Sequence, residues 1–367
     1  MKNILISFFL FSSVPFTPLP KKNTQLSLST VPTSGNVFII TIDGFRWQEI
    51  FNGADSVLMA DERFTPDPAY SEMLYWDNDL KERRKKLMPF FWNILAVKGQ
   101  LYGNRNFDNK VNTANLYSIS YPGYNEILTG TTDALISSNS RKVNPNINIL
   151  EYLDAKPAFR GKVAAFTSWD IFPFILNSDR NNLVINSGYT AMTQTSISLQ
   201  QQLINKVQEE AVYEKTATRY DELTFLTAKE YIREYRPRVV FLGLGETDEL
   251  AHQRRYDLYL DQANKTDKMI AELWHWVQTT PGYKDNTTFI ITTDHGRGKR
   301  KEKWVSHGEF IKGSSQTWLA VMGPGISSKG EIKDSQQLYQ QQLSQTIAAM
   351  LGEDFPVEIT TSSVTLR

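Results

Sequence analysis

Residues 287–295 read TTFIITTDH, a β-branched apolar run that ends on an acid and a histidine. A strand that is apolar at successive positions, not at alternate ones, is buried on both faces, as in a parallel sheet. Two more stretches share this form. Residues 37–42, VFIITI, run into Asp43-Gly44. Residues 238–244, RVVFLGL, run into Gly245-Glu246-Thr247-Asp248, with His252 four residues on. Further strands are expected at 100–105, 162–167 and 317–322. Apolar spacing predicts helices at 89–98, 147–154, 256–279 and 335–351, two within 195–236, and one that begins at Ser120. Strands alternating with helices describe an α/β fold, a mostly parallel central sheet with helices on both faces.

Around these elements the composition narrows the chemistry. The chain has 367 residues, 41% of them hydrophobic and 12% aromatic, which is ample for a core and excludes a disordered chain. It has no cysteine, so disulfide scaffolds, zinc ribbons, iron–sulfur clusters and thiol nucleophiles are excluded. Basic and acidic residues number 40 each, which gives no footprint for a dedicated nucleic-acid binder. The N-terminus reads as an export signal over residues 1–26: Lys2, then an apolar run at 4–16 too short to cross a bilayer. No A-x-A cleavage site marks its end, and no later segment has the length and apolarity of a transmembrane helix. Residues 50–115 read as a surface excursion, with the charge run Lys81–Lys86 on an exposed helix.

In open α/β sheets, sites form outside the carboxyl ends of the strands. Three such ends carry Asp43, Asp248 with His252, and Asp294-His295, and His307 lies in the loop before the next strand. Each has an ordinary alternative as a turn, a cap or a helix-surface pair; together they make three aspartates and three histidines on one rim. The fourth histidine, His275, sits mid-helix between tryptophans and reads as structural. The set is enough for two divalent cations, and mixed nitrogen and oxygen donors suit zinc, or manganese, better than calcium or magnesium. Two closely spaced metals are a common apparatus for displacement at phosphorus. Ser120 at a helix start is the candidate nucleophile, its alternative role being a plain N-cap. Arg297 and Lys299, in the basic run GRGKRKEK (296–303), are candidates for attracting an anion, and a solvated loop is the alternative.

Five stretches in order then resemble the alkaline phosphatase superfamily, and within it the type I phosphodiesterase/nucleotide pyrophosphatase branch. They are IITIDGFRW (39–47), SYPGYNEILTG (120–130), GETDELAH (245–252), TTDHGRG (292–298) and SHGEF (306–310). The resemblance implies a single alkaline phosphatase-like catalytic domain over 27–367. It implies one metal held by Asp248, His252 and His307, and a second held by Asp43, Asp294, His295 and Ser120. It places a substrate-phosphate asparagine near Asn139, with Asn144 and Asn146 competing, and an aromatic beside the leaving group at Trp169. Two departures stand out: the branch usually has threonine where Ser120 stands, and Gly123-Tyr124 replace its usual Asn-His. Sulfatases carry Ser-Arg at those two positions and an Asp-Asn pair where this chain has Asp294-His295, so that branch is rejected.

The expected function is that of an exported metal-dependent phosphoric ester hydrolase in a bacterial envelope or secreted. It would act on small-molecule phosphoesters by double displacement through a phosphoserine. Tyr121, Tyr124 and Trp169 lean the expectation toward phosphodiesters or nucleotides. The alternatives are a phosphomonoesterase, a head-group phosphotransferase and a non-catalytic envelope binding protein.

Overall fold

The computed structural model describes residues 35–194, 197–211 and 218–356, so the export-signal expectation lies outside the described residues. The strands in chain order are β1 (Asn36–Ile42), β2 (Gln100–Tyr102), β3 (Asn109–Asn112), β4 (Val163–Thr167), β5 (Val184–Ser187), β6 (Val239–Leu244), β7 (Thr287–Thr292), β8 (Gln316–Thr317), β9 (Leu319–Met322), β10 (Gly330–Glu331) and β11 (Gln336–Tyr339). Eight of them form one sheet in the order β10-β2-β9-β7-β1-β6-β4-β5. Every pairing in it is parallel except those of β9 with β7 and β2. A small second sheet, β11-β3-β8, lies beside it.

The unbroken apolar runs are explained by burial on both faces. Phe38, Ile40 and Ile42 of β1 enter one core, with Val240, Leu242 and Leu244 of β6 and Phe289 and Ile291 of β7. The residues between them, Val37, Ile39, Val239, Phe241 and Ile290, enter a second core on the other face. The first core is covered by the helices Asp221–Tyr235 and Tyr256–Thr279, the second by Ser120–Thr129, Ile149–Asp154 and Leu343–Met350. The central strand β1 lies between β6 and β7, so Asp43, the start of the helix Glu246–His252 and Asp294 emerge side by side. This is the crevice in which α/β sheets place their sites.

Three expectations are corrected. The segment 335–351 is not one helix: Gln336–Tyr339 is β11, paired with β3, and the helix begins only at Leu343. The run 317–322 is broken at Trp318 into β8 and β9, and the fully buried indole donates to the Phe45 carbonyl. The excursion does not simply cover the surface, since Phe51, Phe64, Leu87 and Phe91 are wholly buried in the first core. The charge run does form a helix, Leu80–Leu87, with Lys81, Glu82 and Lys86 exposed, Arg83, Arg84 and Lys85 half-buried and Leu87 turned into the core.

Candidate metal centre and active site

The strand ends deliver their side chains to one point. His295 Nε2 lies 3.5 Å from Asp43 Oδ1, 3.4 Å from Asp294 Oδ2 and 3.9 Å from Asp248 Oδ1. On the helix that follows β6, Asp248 and His252 are one turn apart, with Nε2 3.2 Å from Oδ2. The His307 loop folds back over them. His307 Nε2 is 3.0 Å from His252 Nε2 and 3.6 Å from Asp248 Oδ1, and its ring stacks on that of His295 at 3.8 Å. Asp43, Asp294 and His295 make one group able to hold a metal; Asp248, His295 and His307 make another.

Hydrogen bonding orients these ligands. His295 Nδ1 meets the Gly296 carbonyl at 2.9 Å and His307 Nδ1 meets the Ser118 carbonyl at 3.3 Å. A carbonyl only accepts, so each Nδ1 carries the proton and each Nε2 turns its lone pair toward the carboxylates. Gly44, with φ +58°, gives its N–H to Asp294 Oδ1 at 3.0 Å; a Cβ there would stand 2.6 Å from Asp248 Oδ1. Thr247 Oγ1 donates to the Asp43 carbonyl, and the Tyr124 hydroxyl donates to Asp43 Oδ2.

The electrostatics call for a cation. Burial first, then the charges of Asp294 and Asp248, push the Asp43 carboxyl well above its ordinary range. Burial pushes Asp294 up to about 7. It also holds His295 down to about 4 and His307 down to about 3, so both imidazoles are neutral. Burial would raise Asp248 too, but Arg297 and the three histidines outweigh it and keep the group well below. Asp43 Oδ1 and Asp294 Oδ2 are buried without a hydrogen-bond partner. Neutral imidazole lone pairs facing crowded carboxylates with orphaned oxygens fit divalent metal.

Ser120 opens the ten-residue helix Ser120–Thr129, and its Oγ is 3.2 Å from His295 Nε2. The helix approaches the metal group closely because position 123 is glycine: a Cβ there would stand 2.4 Å from the Asp294 carbonyl oxygen. Gly123→Ala is therefore expected to cost about 1–3 kcal/mol by overpacking and to reduce metal uptake. Thermal unfolding and metal analysis check this, and an unchanged melting temperature would show that the helix has room to move. In front of Ser120 opens a cleft of about 290 Å³, lined also by Asn139, Trp169, Thr218, Glu249, His252 and His307.

Asn139 and Trp169 thus line the cleft with Ser120; Asn139 Oδ1 accepts from the Tyr121 N–H at 2.9 Å. Asn144 and Asn146 instead turn to Asn125. Tyr121 and Tyr124, read as substrate-facing aromatics, are buried in the second core. Arg297, read as an anion attractor, is 1% exposed and bound to Asp248, so the anion-attracting reading is corrected: its charge serves the interior. His275 is exposed on its helix, away from the centre. Sequence reasoning missed Thr218 and Glu249 in the cleft. It also missed two buried acids that hold the site's loops. Glu126 accepts from the Ala114, Asn115 and Gln341 N–H groups, and Asp221 from those of Gly245 and Glu246. Glu126 lies six residues into a helix motif and Asp221 begins another helix, places where an acid carries no distinguishing local signal.

Comparison with known proteins adds a family and a fold. The model of the family described as type I phosphodiesterase / nucleotide pyrophosphatase matches residues 67–350, which hold every candidate ligand except Asp43. No curated protein matches the chain. Among solved structures it is similar to the wild-type alkaline phosphatase PafA, with a TM-score of 0.60 at 12% identity over 91% of this chain and 99% of that one. It is similar to the phosphonate monoester hydrolase SpPMH from Silicibacter pomeroyi, with a TM-score of 0.56 at 14% identity over 90% and 76%. A third similar structure is the lipoteichoic acid synthase LtaP from Listeria monocytogenes, with a TM-score of 0.55 at 12% identity over 92% and 75%. At these identities the three likenesses establish the fold.

Proposed function

The chain belongs to the type I phosphodiesterase/nucleotide pyrophosphatase family, and from that premise we propose that it is an exported phosphodiesterase working through a phosphoserine on Ser120. It is a hydrolase of phosphoric esters; the diester preference, the metal count, the export and the covalent step are the proposal. The observation that carries it is the convergence of Ser120 with three aspartates and three histidines at the end of one sheet.

Asp43, Asp294, His295 and Ser120 would hold one divalent ion, and Asp248, His252 and His307 a second, with zinc or manganese matching the donors. Such ions supply positive charge for a serine alkoxide, the non-bridging oxygens and the leaving oxygen. The chain's own residues do the rest. The helix behind Ser120 presents its positive end to the phosphate. Ser120 Oγ attacks phosphorus in line, the ester bond on the far side breaks, and the departing oxygen takes up the proton that the serine gives up. Water then displaces the serine and releases the second product.

The cleft favours a diester. Trp169 and Thr218, joined by an antiparallel bridge, wall one side and offer an organic substituent a surface. Among the described residues no lysine or arginine lines the cleft to match the additional charge of a monoester. Export rests on Lys2 and the apolar run 4–16.

The test is a paired assay of the purified protein, supplied with zinc or manganese, on a chromogenic phosphodiester and the matching monoester, before and after chelation. We expect the diester to be preferred by about tenfold or more, as is usual when a charge lacks its partner, and chelation to abolish both activities. Turnover that survives the chelator would overturn the metal requirement; a monoester preference would make the protein a phosphatase, and no turnover on either would leave the transferase or binding readings.

A further inference from the structure

Several large apolar side chains stand almost fully in solvent, and three of them lie on loops that lead to Ser120 or carry the cleft residues Asn139 and His307. Phe310 is 93% exposed, Leu135 89% and Leu116 76%. They lie on separate loops that are tied together beside Ser120. The Tyr117 hydroxyl, next to Leu116, donates to the carbonyl of Ala134, next to Leu135, at 2.8 Å. His307, three residues before Phe310, donates from Nδ1 to the carbonyl of Ser118. The basic run that the chemistry does not use is tied to the loop that carries Phe310. Lys299, Arg300 and Lys312 are exposed, and the Lys299 N–H donates to the Lys312 carbonyl at 3.1 Å. Burial and the charges of Arg105 and Lys312 hold the Lys299 ammonium below its ordinary value, as a cluster of cations does. Glu309 is the one acid between Ser306 and Lys312.

We propose that these loops form a docking rim for an anionic lipid surface. Phe310, Leu135 and Leu116 enter the interfacial layer, Lys299, Arg300 and Lys312 lie against the head groups, and the cleft of Ser120 opens onto the membrane. The form of the patch argues for lipid over protein. A protein interface is a contiguous, shape-matched area, whereas here single apolar side chains stand on separate loops. Isolated apolar anchors combined with nearby cations are the two signals that together hold a peripheral protein on an anionic bilayer. The docking is independent of the chemistry proposed for Ser120, and its test reads no turnover.

The absence of cysteine makes a direct test possible. The full chain is labelled with an environment-sensitive dye at Phe310→Cys, at Leu135→Cys and, as a control on the exposed turn before β7, at Lys284→Cys. Vesicles of phosphatidylglycerol and phosphatidylcholine are then added. Residues 4–16 are present in every variant, so any affinity of their own for lipid is common to all three labels. The expected result is a blue shift at 310 and 135 and none at 284. Arg300→Gln with Lys312→Gln should lower vesicle partitioning by about 30-fold, the loss expected from two head-group contacts, and flatten its dependence on salt. Equal partitioning onto pure phosphatidylcholine, no shift at 310, or an equal shift at 284 would overturn the proposal. So would a blue shift at 310 without lipid that accompanies a doubling of mass, since the rim would then cover a second copy of the chain.

Discussion

Ser120→Ala is expected to lower turnover on the preferred phosphoester by on the order of 10⁴-fold or more, the scale at which loss of a nucleophile acts. The fold should not suffer. Ser120 is the first residue of its helix, the preceding Ile119 starts it without a side-chain cap, and alanine is a good helix former. Metal content should stay near two per chain, because six of the seven proposed ligands remain. Ser120→Thr separates loss of the hydroxyl from loss of shape: it keeps the attacking oxygen and should retain turnover within about tenfold, the cost of a small displacement. The two variants together distinguish a covalent route from direct attack by water, in which the serine only binds. Near-normal turnover in Ser120→Ala, with normal metal content, would exclude the phosphoserine and leave the hydrolase assignment standing.

The parts of this site that were legible in the sequence are those that a strand end exposes. An apolar run that stops at Asp43, or at Asp294-His295, announces both a buried strand and the side chain it carries to the rim. The four-residue spacing of Asp248 and His252 announces a shared helix face, and the pair is 3.2 Å apart. What was hidden depends on contacts between distant segments. QQLYQQQL, residues 336–343, has the composition of a helix, yet Gln336–Tyr339 pairs with Asn109–Asn112 and becomes a strand. Tyr124 follows Ser120 by one helical turn and looked available to substrate, but its hydroxyl is occupied by Asp43. Arg297 belongs by composition to a solvated basic run. Its loop is drawn inward at Gly296, where a Cβ would stand 2.2 Å from the Gln316 carbonyl oxygen.

That inward turn gives Arg297 the second large expected effect. Its Nε donates to the Trp304 carbonyl at 2.7 Å and its Nη2 to the Val305 carbonyl at 2.6 Å, while Nη1 pairs with Asp248. One guanidinium therefore fixes a candidate metal ligand and the main chain two residues before another, His307. Arg297→Met fills similar volume but leaves a carboxylate and two carbonyls in the interior without their donors. In the metal-free protein this is expected to cost about 3–5 kcal/mol, the range for breaking a buried ion pair by removing one partner, which is a large share of a typical domain's stability. Arg297→Lys should recover only part, because a single ammonium cannot reach three acceptors arranged around a planar fork. Urea unfolding midpoints of the chelated proteins measure the loss. Adding zinc should then narrow the gap between Arg297→Met and wild type, since a cation bound by Asp248 replaces part of the missing positive charge. If zinc stabilised the two proteins equally, Asp248 would not be among the groups that hold the metal; if the midpoint did not fall at all, the guanidinium would not be what supports the His307 loop.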